Sequence, residues 1–303
     1  MQGAGSDYVK GAACGLAAVA IWASWSALTR FAVTTRLDAW DIALLRVGVA
    51  GVLLAPVLMR QGLARDRLGW SGLAVIIAGG GGPYALVAAG GLRLAPTVAA
   101  AAFNPGSIPL FVALIAALVA KERLSVMRKS GLGLILAGAL MIVGWHATGS
   151  ANWSGLRTFG VALCLCAAFM WACFTVVMRQ AKLEPLHAAA LVSTGSLVIY
   201  LPLYLALHGI RLAQVPLADL ALQAIFQGVL VTVVSLLLYG RAVAILGASG
   251  GAAFGALVPA LSALIAIPLL GEWPHETDWI AIVLISAGVY LTSGGPLPHR
   301  NHC

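Results

Sequence analysis

Several stretches carry residue types that could do chemistry. Residues 79–82 are four glycines followed by Pro83 and Tyr84, a run whose backbone N–H groups could wrap a phosphate. Residues 247–250 read Gly-Ala-Ser-Gly, a small-residue setting for a nucleophile, Ser249. Ten carboxylates and six histidines could move protons or hold a metal. The phosphate reading fails on its neighbours, because such a loop ends in Lys and Ser or Thr and follows a strand. The dinucleotide fingerprint fails for want of the same strand–turn–helix context. A serine nucleophile needs a base at ~3 Å, and the histidines after Ser249 are His275, His299 and His302, all in a loop or the tail. None of the ten acids falls in the middle of an apolar block, so neither a proton relay nor a cation-binding carboxylate is visible. The cysteines Cys14, Cys164, Cys166 and Cys173 lack C-x-x-C spacing and read as small hydrophobes. The tail His299-Arg-Asn-His-Cys303 is too short to cage a metal. No catalytic group, metal site or cofactor is expected, and the chain reads as no enzyme.

What remains is binding chemistry. Six of the nine tryptophans sit at the ends of apolar blocks, but Trp22, Trp25 and Trp171 do not. Trp22 lies twelve residues beyond Lys10, about 18 Å of helix. Tyr84, Phe103, Tyr239 and Phe254 fall on segments loosened by Gly or Pro. Gln223, Gln227 and Ser235 recur at multiples of four, a polar stripe on one helix, and Asn104, Ser24 and Ser26 add short hydrogen-bonding groups. Polar groups in hydrocarbon should face protein or water. Rings and amides together suit a small polar molecule with an apolar side chain. The expected binding set is Trp22, Trp25, Tyr84, Phe103, Asn104, Trp171, Gln227, Tyr239 and Phe254; packing bulk is the alternative for each deep ring. Arg46 is the one deep charge, free either to attract a carboxylate or to reach backbone carbonyls.

These residues are carried by membrane helices. The chain has 303 residues, 61% hydrophobic and 9% charged, against about 25% charged in soluble domains. Ten continuous apolar blocks stand at 10–33, 41–59, 70–90, 95–119, 128–147, 158–179, 187–208, 217–239, 247–270 and 277–294. Their length suits the ~20 residues that cross a bilayer, and continuous runs exclude the alternation of barrel strands. The first block is too long for a signal-peptide core. With the N-terminus inside, twelve Lys and Arg fall in inner segments and five in outer ones, so both termini are expected in the cytoplasm. The net charge of +8 then reflects an anionic inner leaflet rather than nucleic acid.

The chain is also written twice. PLFVALIAALVAKE (109–122) returns as PALSALIAIPLLGE (259–272), pairing Pro109 with Pro259 and Glu122 with Glu272. Ala137-Gly138 returns as Ala287-Gly288 at the same offset, and Trp22 and Arg30 match Trp171 and Arg179 one residue closer. Residues 1–150 and 151–303 are expected to be the two five-helix repeats of one transport domain. Five helices each, an odd number, make the repeats inverted, an arrangement that places a substrate site at their interface among broken helices. The expected fold is an all-α integral membrane protein of ten transmembrane helices in two inverted five-helix repeats.

The pattern of Pro, twelve residues and Glu, once per half and followed by a glycine-bearing helix, resembles the drug/metabolite transporter superfamily of EamA type. Through Trp22, Pro83-Tyr84 and Trp171 the chain is most similar to the bacterial aromatic amino acid exporters. That resemblance implies export of amino acids, aromatic and other apolar ones first, by alternating access across a bacterial inner membrane, with no cofactor. Export of another small metabolite or drug is the alternative. The Gly-Ala-Ser-Gly motif, with the Gly-Ala-Ala-Phe-Gly after it, resembles that of rhomboid intramembrane proteases; without a buried base, Ser249 reads as a packing residue. Gly79, Gly80, Gly81, Gly82 and Pro83, with Pro105, Pro109 and Pro259, are expected hinge residues, close helix packing being the rival reading of the glycines. The partners expected are the amino acid and the lipid bilayer; a monomer is compatible with the sequence.

Overall fold

A computed structural model describes residues 2–119, 125–149 and 154–292. Among them there is no strand. Thirteen helices follow: α1 Gln2–Thr35, α2 Ala39–Gln61, α3 Arg65–Gly80, α4 Gly82–Leu94, α5 Thr97–Phe103, α6 Ile108–Val119, α7 Val126–Gly149, α8 Gly155–Gln180, α9 Pro185–His208, α10 Leu217–Gln223, α11 Ser235–Gly255, α12 Val258–Leu270 and α13 Glu276–Thr292. Eight stretches among the described residues are long and apolar enough to cross a membrane: 7–35, 39–61, 65–94, 97–118, 155–180, 185–208, 217–247 and 253–270. The blocks read at 128–147 and 277–294 are helical as α7 and α13 but stand outside these eight. Glu122, Trp153 and the tail with His299 and His302 lie outside the described residues, as do the side chains of Trp145 and Ser249.

The helix ends follow from local chemistry. Asp38 caps α2 by accepting from the Asp41 N–H, while the Asp41 carboxylate accepts from the Asp38 N–H, a reciprocal pair that satisfies two donors left free at a helix start. Ser154 caps α8, and Pro185 opens α9, where its missing N–H costs nothing. α9 and α12 end at Gly209 and Gly271, both at positive φ.

The third and fourth blocks are each broken in the middle. Gly81 separates α3 from α4 with φ −98° and ψ −143°, and Asn104 with the 3₁₀ turn Pro105–Ser107 separates α5 from α6. The second half shows the matching break at 256–257, between α11 and α12. One boundary differs from the sequence reading. The gap expected at 240–246 is helical, and α11 runs on to Gly255 through a kink at Gly247. Its φ of 80° is one that glycine adopts without steric penalty, so the chain bends there without unwinding. Between α10 and α11, Ala224–Val234 winds as a π-helix.

The halves pack through contacts that come in exchanged pairs. α1 lies against α11 and α12 of the second half, and α8, its repeat counterpart, against α3, α4 and α6 of the first. α2 packs on its counterpart α9, and α7 on α13. At the last crossing the repeat mates Gly138 and Gly288 serve the same contact: a Cβ on Gly138 would stand 2.8 Å from the Ala281 carbonyl, and one on Gly288 2.6 Å from that of Gly131. Without water to drive association, such backbone contact is what holds helices together in lipid.

Candidate functional site

The two breaks meet one space. Pro105, Gly106, Ile108 and Pro109 from the first half, and Gly255, Val258 and Pro259 from the second, face a cavity of about 270 Å³. Breaking the helices there follows from the sequence, since Pro lacks the N–H a helix needs and displaces the carbonyl four residues earlier. Backbone left unpaired in this way is tolerated at membrane depth only beside protein or a wet cavity. The rest of the wall is aromatic: Trp22 and Trp25 from α1, Tyr84 from α4 and Trp171 from α8.

The repeat mates Trp22 and Trp171 each stack on a tyrosine. Trp22 meets Tyr239 at 4.9 Å between centroids and 51°, and Trp171 meets Tyr84 at 4.9 Å and 50°. Tilted pairs of this kind add about 0.5–1.5 kcal/mol beyond the area they bury. Their polar atoms are also held, for Trp22 Nε1 donates to Ser235 Oγ at 2.9 Å. Trp25 Nε1 donates to Gln227 Oε1 at 3.0 Å, and Gln227 Nε2 donates in turn to Thr29 Oγ1 (2.9 Å) and Gln223 Oε1 (3.2 Å). The stripe of Gln223, Gln227 and Ser235 thus faces α1 and orients its two tryptophans.

The sequence-derived binding set divides accordingly. Trp22, Trp25, Tyr84 and Trp171 line the cavity; Phe103, Asn104, Gln227, Tyr239 and Phe254 do not. Gln227 is fully buried with its amide spent on Trp25, Thr29 and Gln223. Tyr239 supports Trp22 from behind, and Phe254 packs on α1 where Gly15 leaves room for its ring. Phe103 belongs to the buried core. Asn104 is buried beside Pro105; its Nδ2 donates to the Tyr84 hydroxyl at 3.4 Å, and its Oδ1 has no hydrogen-bond partner among the described residues. Val231 and Val289 also face the cavity and were not singled out in the sequence. Nothing in their type or spacing separates them from other membrane valines.

Of the hinge residues, Pro105, Pro109 and Pro259 line the cavity, while the glycine run lies at a helix crossing. The Gly82 N–H donates to Ser196 Oγ of α9 at 3.1 Å. A Cβ on Gly79 would stand 2.5 Å from the Met170 carbonyl of α8, and one on Gly81 would fall on the Ser196 hydroxyl. The run is therefore at once a break in the helix and a point of close contact.

Arg46 is 8% exposed and also faces the cavity. Its guanidinium lies 5.5 Å from the Tyr84 ring centroid and 5.9 Å from that of Trp171. Such stacking contributes about 0.5–2 kcal/mol, whereas taking an ion out of water costs several. Among the described residues it has neither an ion pair nor a hydrogen bond. A second depression, of about 350 Å³ and lined among others by Arg36, Asp38, Arg93 and Arg211, has no aromatic group among its described lining residues. Among the described residues no three His, Cys, Asp or Glu side chains converge as metal ligands.

A solved structure described as "Crystal structure of protein" is 20% identical, with 93% of this chain and 95% of that one covered and a TM-score of 0.62. That likeness is one of fold. No curated protein matches the chain. The EamA-like transporter family model matches residues 9–144 and matches again at 158–294, one copy for each half and nearly the whole chain together. With two such copies, apolar helices throughout and a cavity where the halves meet, the chain belongs to the EamA-like transporter family and is a multi-pass membrane transporter of small molecules.

Proposed function

We propose that the protein exports amino acids, aromatic and other apolar ones first, across a bacterial inner membrane by alternating access. Ten membrane-spanning segments in two inverted five-helix repeats would do this, with both termini in the cytoplasm. The observation that carries the substrate class is the cavity wall, in which Trp22, Trp25, Tyr84 and Trp171 surround one space. Its volume of about 270 Å³ lies just under the roughly 300–1,000 Å³ typical of pockets for drug-sized ligands. That suits a ligand of about one aromatic amino acid, whose ring can stack between indoles. The exchanged contacts between halves and the matched breaks support a two-fold design whose cavity changes the side it faces.

The test is transport in proteoliposomes holding the full chain, with a panel of labelled amino acids and a sugar and a nucleoside as metabolite controls. Phenylalanine, tyrosine and tryptophan are expected to move fastest, followed by leucine and methionine. Transport of a control metabolite with none of any amino acid would replace this reading with export of that other metabolite.

A further inference from the structure

We propose that Arg46 is the carboxylate-binding residue of this cavity, so that an anionic carboxylate is required in what the protein carries. The proposal rests on the reading of the cavity as the transport site and narrows its substrate class. Four observations converge on it. Arg46 is more than nine-tenths buried, yet its only partners among the described residues are the faces of Tyr84 and Trp171. Among the described residues it reaches no backbone carbonyl, the use that would make it a structural cation. Among the described residues no acid lines the cavity beside it. The first turns of α6 and α12, with Ile108 and Pro109 in one and Val258 and Pro259 in the other, open onto the same space. Pro109 and Pro259 offer no N–H, but each helix start carries the positive end of the helix dipole, which favours an anion.

The repeat makes the argument sharper. Two of the cavity aromatics are repeat mates, Trp22 and Trp171, but an offset of 149 to 150 places Gly195 and Ser196 opposite Arg46. Among the described residues the chamber is therefore charged on one wall only, beside Tyr84 and Trp171. A ligand with a ring at one end and a carboxylate at the other is held in one orientation. Arginine suits the task because its planar donors meet both carboxylate oxygens at once.

Ligand binding to the purified full chain tests this, read by quenching of intrinsic tryptophan fluorescence and by ligand-dependent thermal shift. Phenylalanine and 3-phenylpropionate should bind; phenylalaninamide and phenethylamine, which lack the carboxylate, should bind at least tenfold more weakly. Arg46→Gln should weaken phenylalanine about ten- to a hundredfold, the range for a hydrogen bond to a charged group, and leave phenylalaninamide unchanged. Arg46→Lys should recover part of the loss. Ligand-free Arg46→Gln should melt no lower than the wild type, because burying the unpaired cation costs more than its stacking on Tyr84 and Trp171 returns. Equal binding of phenylalanine and its amide to the wild type would overturn the proposal without any variant. It would leave the aromatic reading standing. If phenylalanine does not bind but lactate or succinate does, and does so through Arg46, the aromatic reading fails and the role of Arg46 holds. Binding of no carboxylate at all overturns both.

Discussion

Trp25 reaches the cavity with its indole nitrogen already committed to Gln227, whose amide also serves Thr29 and Gln223. In a buried chain of this kind each member satisfies the others, and removing one strands its neighbours. Gln227→Leu should therefore cost about 1–3 kcal/mol of stability and loosen Trp25. Thermal unfolding should show that loss together with weaker ligand binding, although Gln227 does not face the cavity. If stability falls while affinity holds, the amide chain supports the fold and not the site. A second cluster lies at the start of α2. The Tyr204 hydroxyl donates to Asp41 at 2.5 Å, and Arg211 Nη1 donates to Asp38 at 2.8 Å, so the α2 cap is also a tie to the second half. Asp41→Ala removes half of a capping box, worth about 1 kcal/mol, and leaves a buried tyrosine hydroxyl unpaired, about 1–3 kcal/mol more. Tyr204→Phe removes the hydroxyl along with its bond and should cost less. Chemical denaturation of both variants should rank them in that order.

Among the elements, the broken third helix gives a test that separates two adjacent glycines. A Cβ on Gly80 would lie 3.3 Å from the Phe174 ring edge, whereas one on Gly81 would fall on the Ser196 hydroxyl. Gly80→Ala should be tolerated, and Gly81→Ala should lose about 1–3 kcal/mol, the cost of forcing atoms into a packed contact. Melting temperatures of the two variants decide it; equal values would mean that α9 yields at Ser196. Pro83 opens α4 and keeps the helix from closing across Gly81. Should the break act as a hinge, Pro83→Ala slows transport more than it changes affinity. Rate and affinity measured on one preparation tell these apart, and a variant with a normal rate removes the hinge. The π-helical Ala224–Val234 has a different consequence. A spacing of four drifts by about 40° per step around an α-helix, and the wider π turn reduces that drift. Gln223, Gln227 and Ser235 thereby all reach partners on α1.

At the scale of the molecule, the halves are joined at one end by Arg30 and Glu272. Their side chains form an ion pair; Arg30 Nη1 also donates to the carbonyls of Leu92 and Ala95, and Glu272 accepts from the Thr97 N–H at 2.8 Å. Glu272, the repeat mate of Glu122, thus holds the end of α12 to α1 and α5. In the proposed orientation this end faces outside. Glu272→Gln should weaken the tie and admit reagent from that side. On a cysteine-free background, a cysteine at Val258 in the cavity wall should then react faster with an impermeant thiol reagent applied to intact cells. An unchanged rate would show that the ion pair closes no path. The orientation itself is tested by Arg65→Cys, which should resist the same reagent until the cells are opened. Labelling in intact cells would sink the orientation and the inverted arrangement built on it.

The amino-acid sequence by itself determined that this is a helical membrane protein in two related halves, because both properties are carried by every part of the chain. Hydrocarbon admits only long apolar runs, and duplication leaves Pro109 and Pro259, or Gly138 and Gly288, in register. It also marked Trp22 and Trp171 as deep, because depth along a helix is counted in residues from its charged ends. What the sequence could not decide is direction around the helix axis. An apolar helix surrounded by lipid and protein has no polar face to reveal which side is buried. The stripe of Gln223, Gln227 and Ser235 marked a polar side of its helix but not the neighbour it meets, and the tertiary structure turned it toward α1 and set Tyr239 against Trp22. The same packing put Arg46 against Tyr84 and Trp171, from two helices that the sequence alone does not bring together.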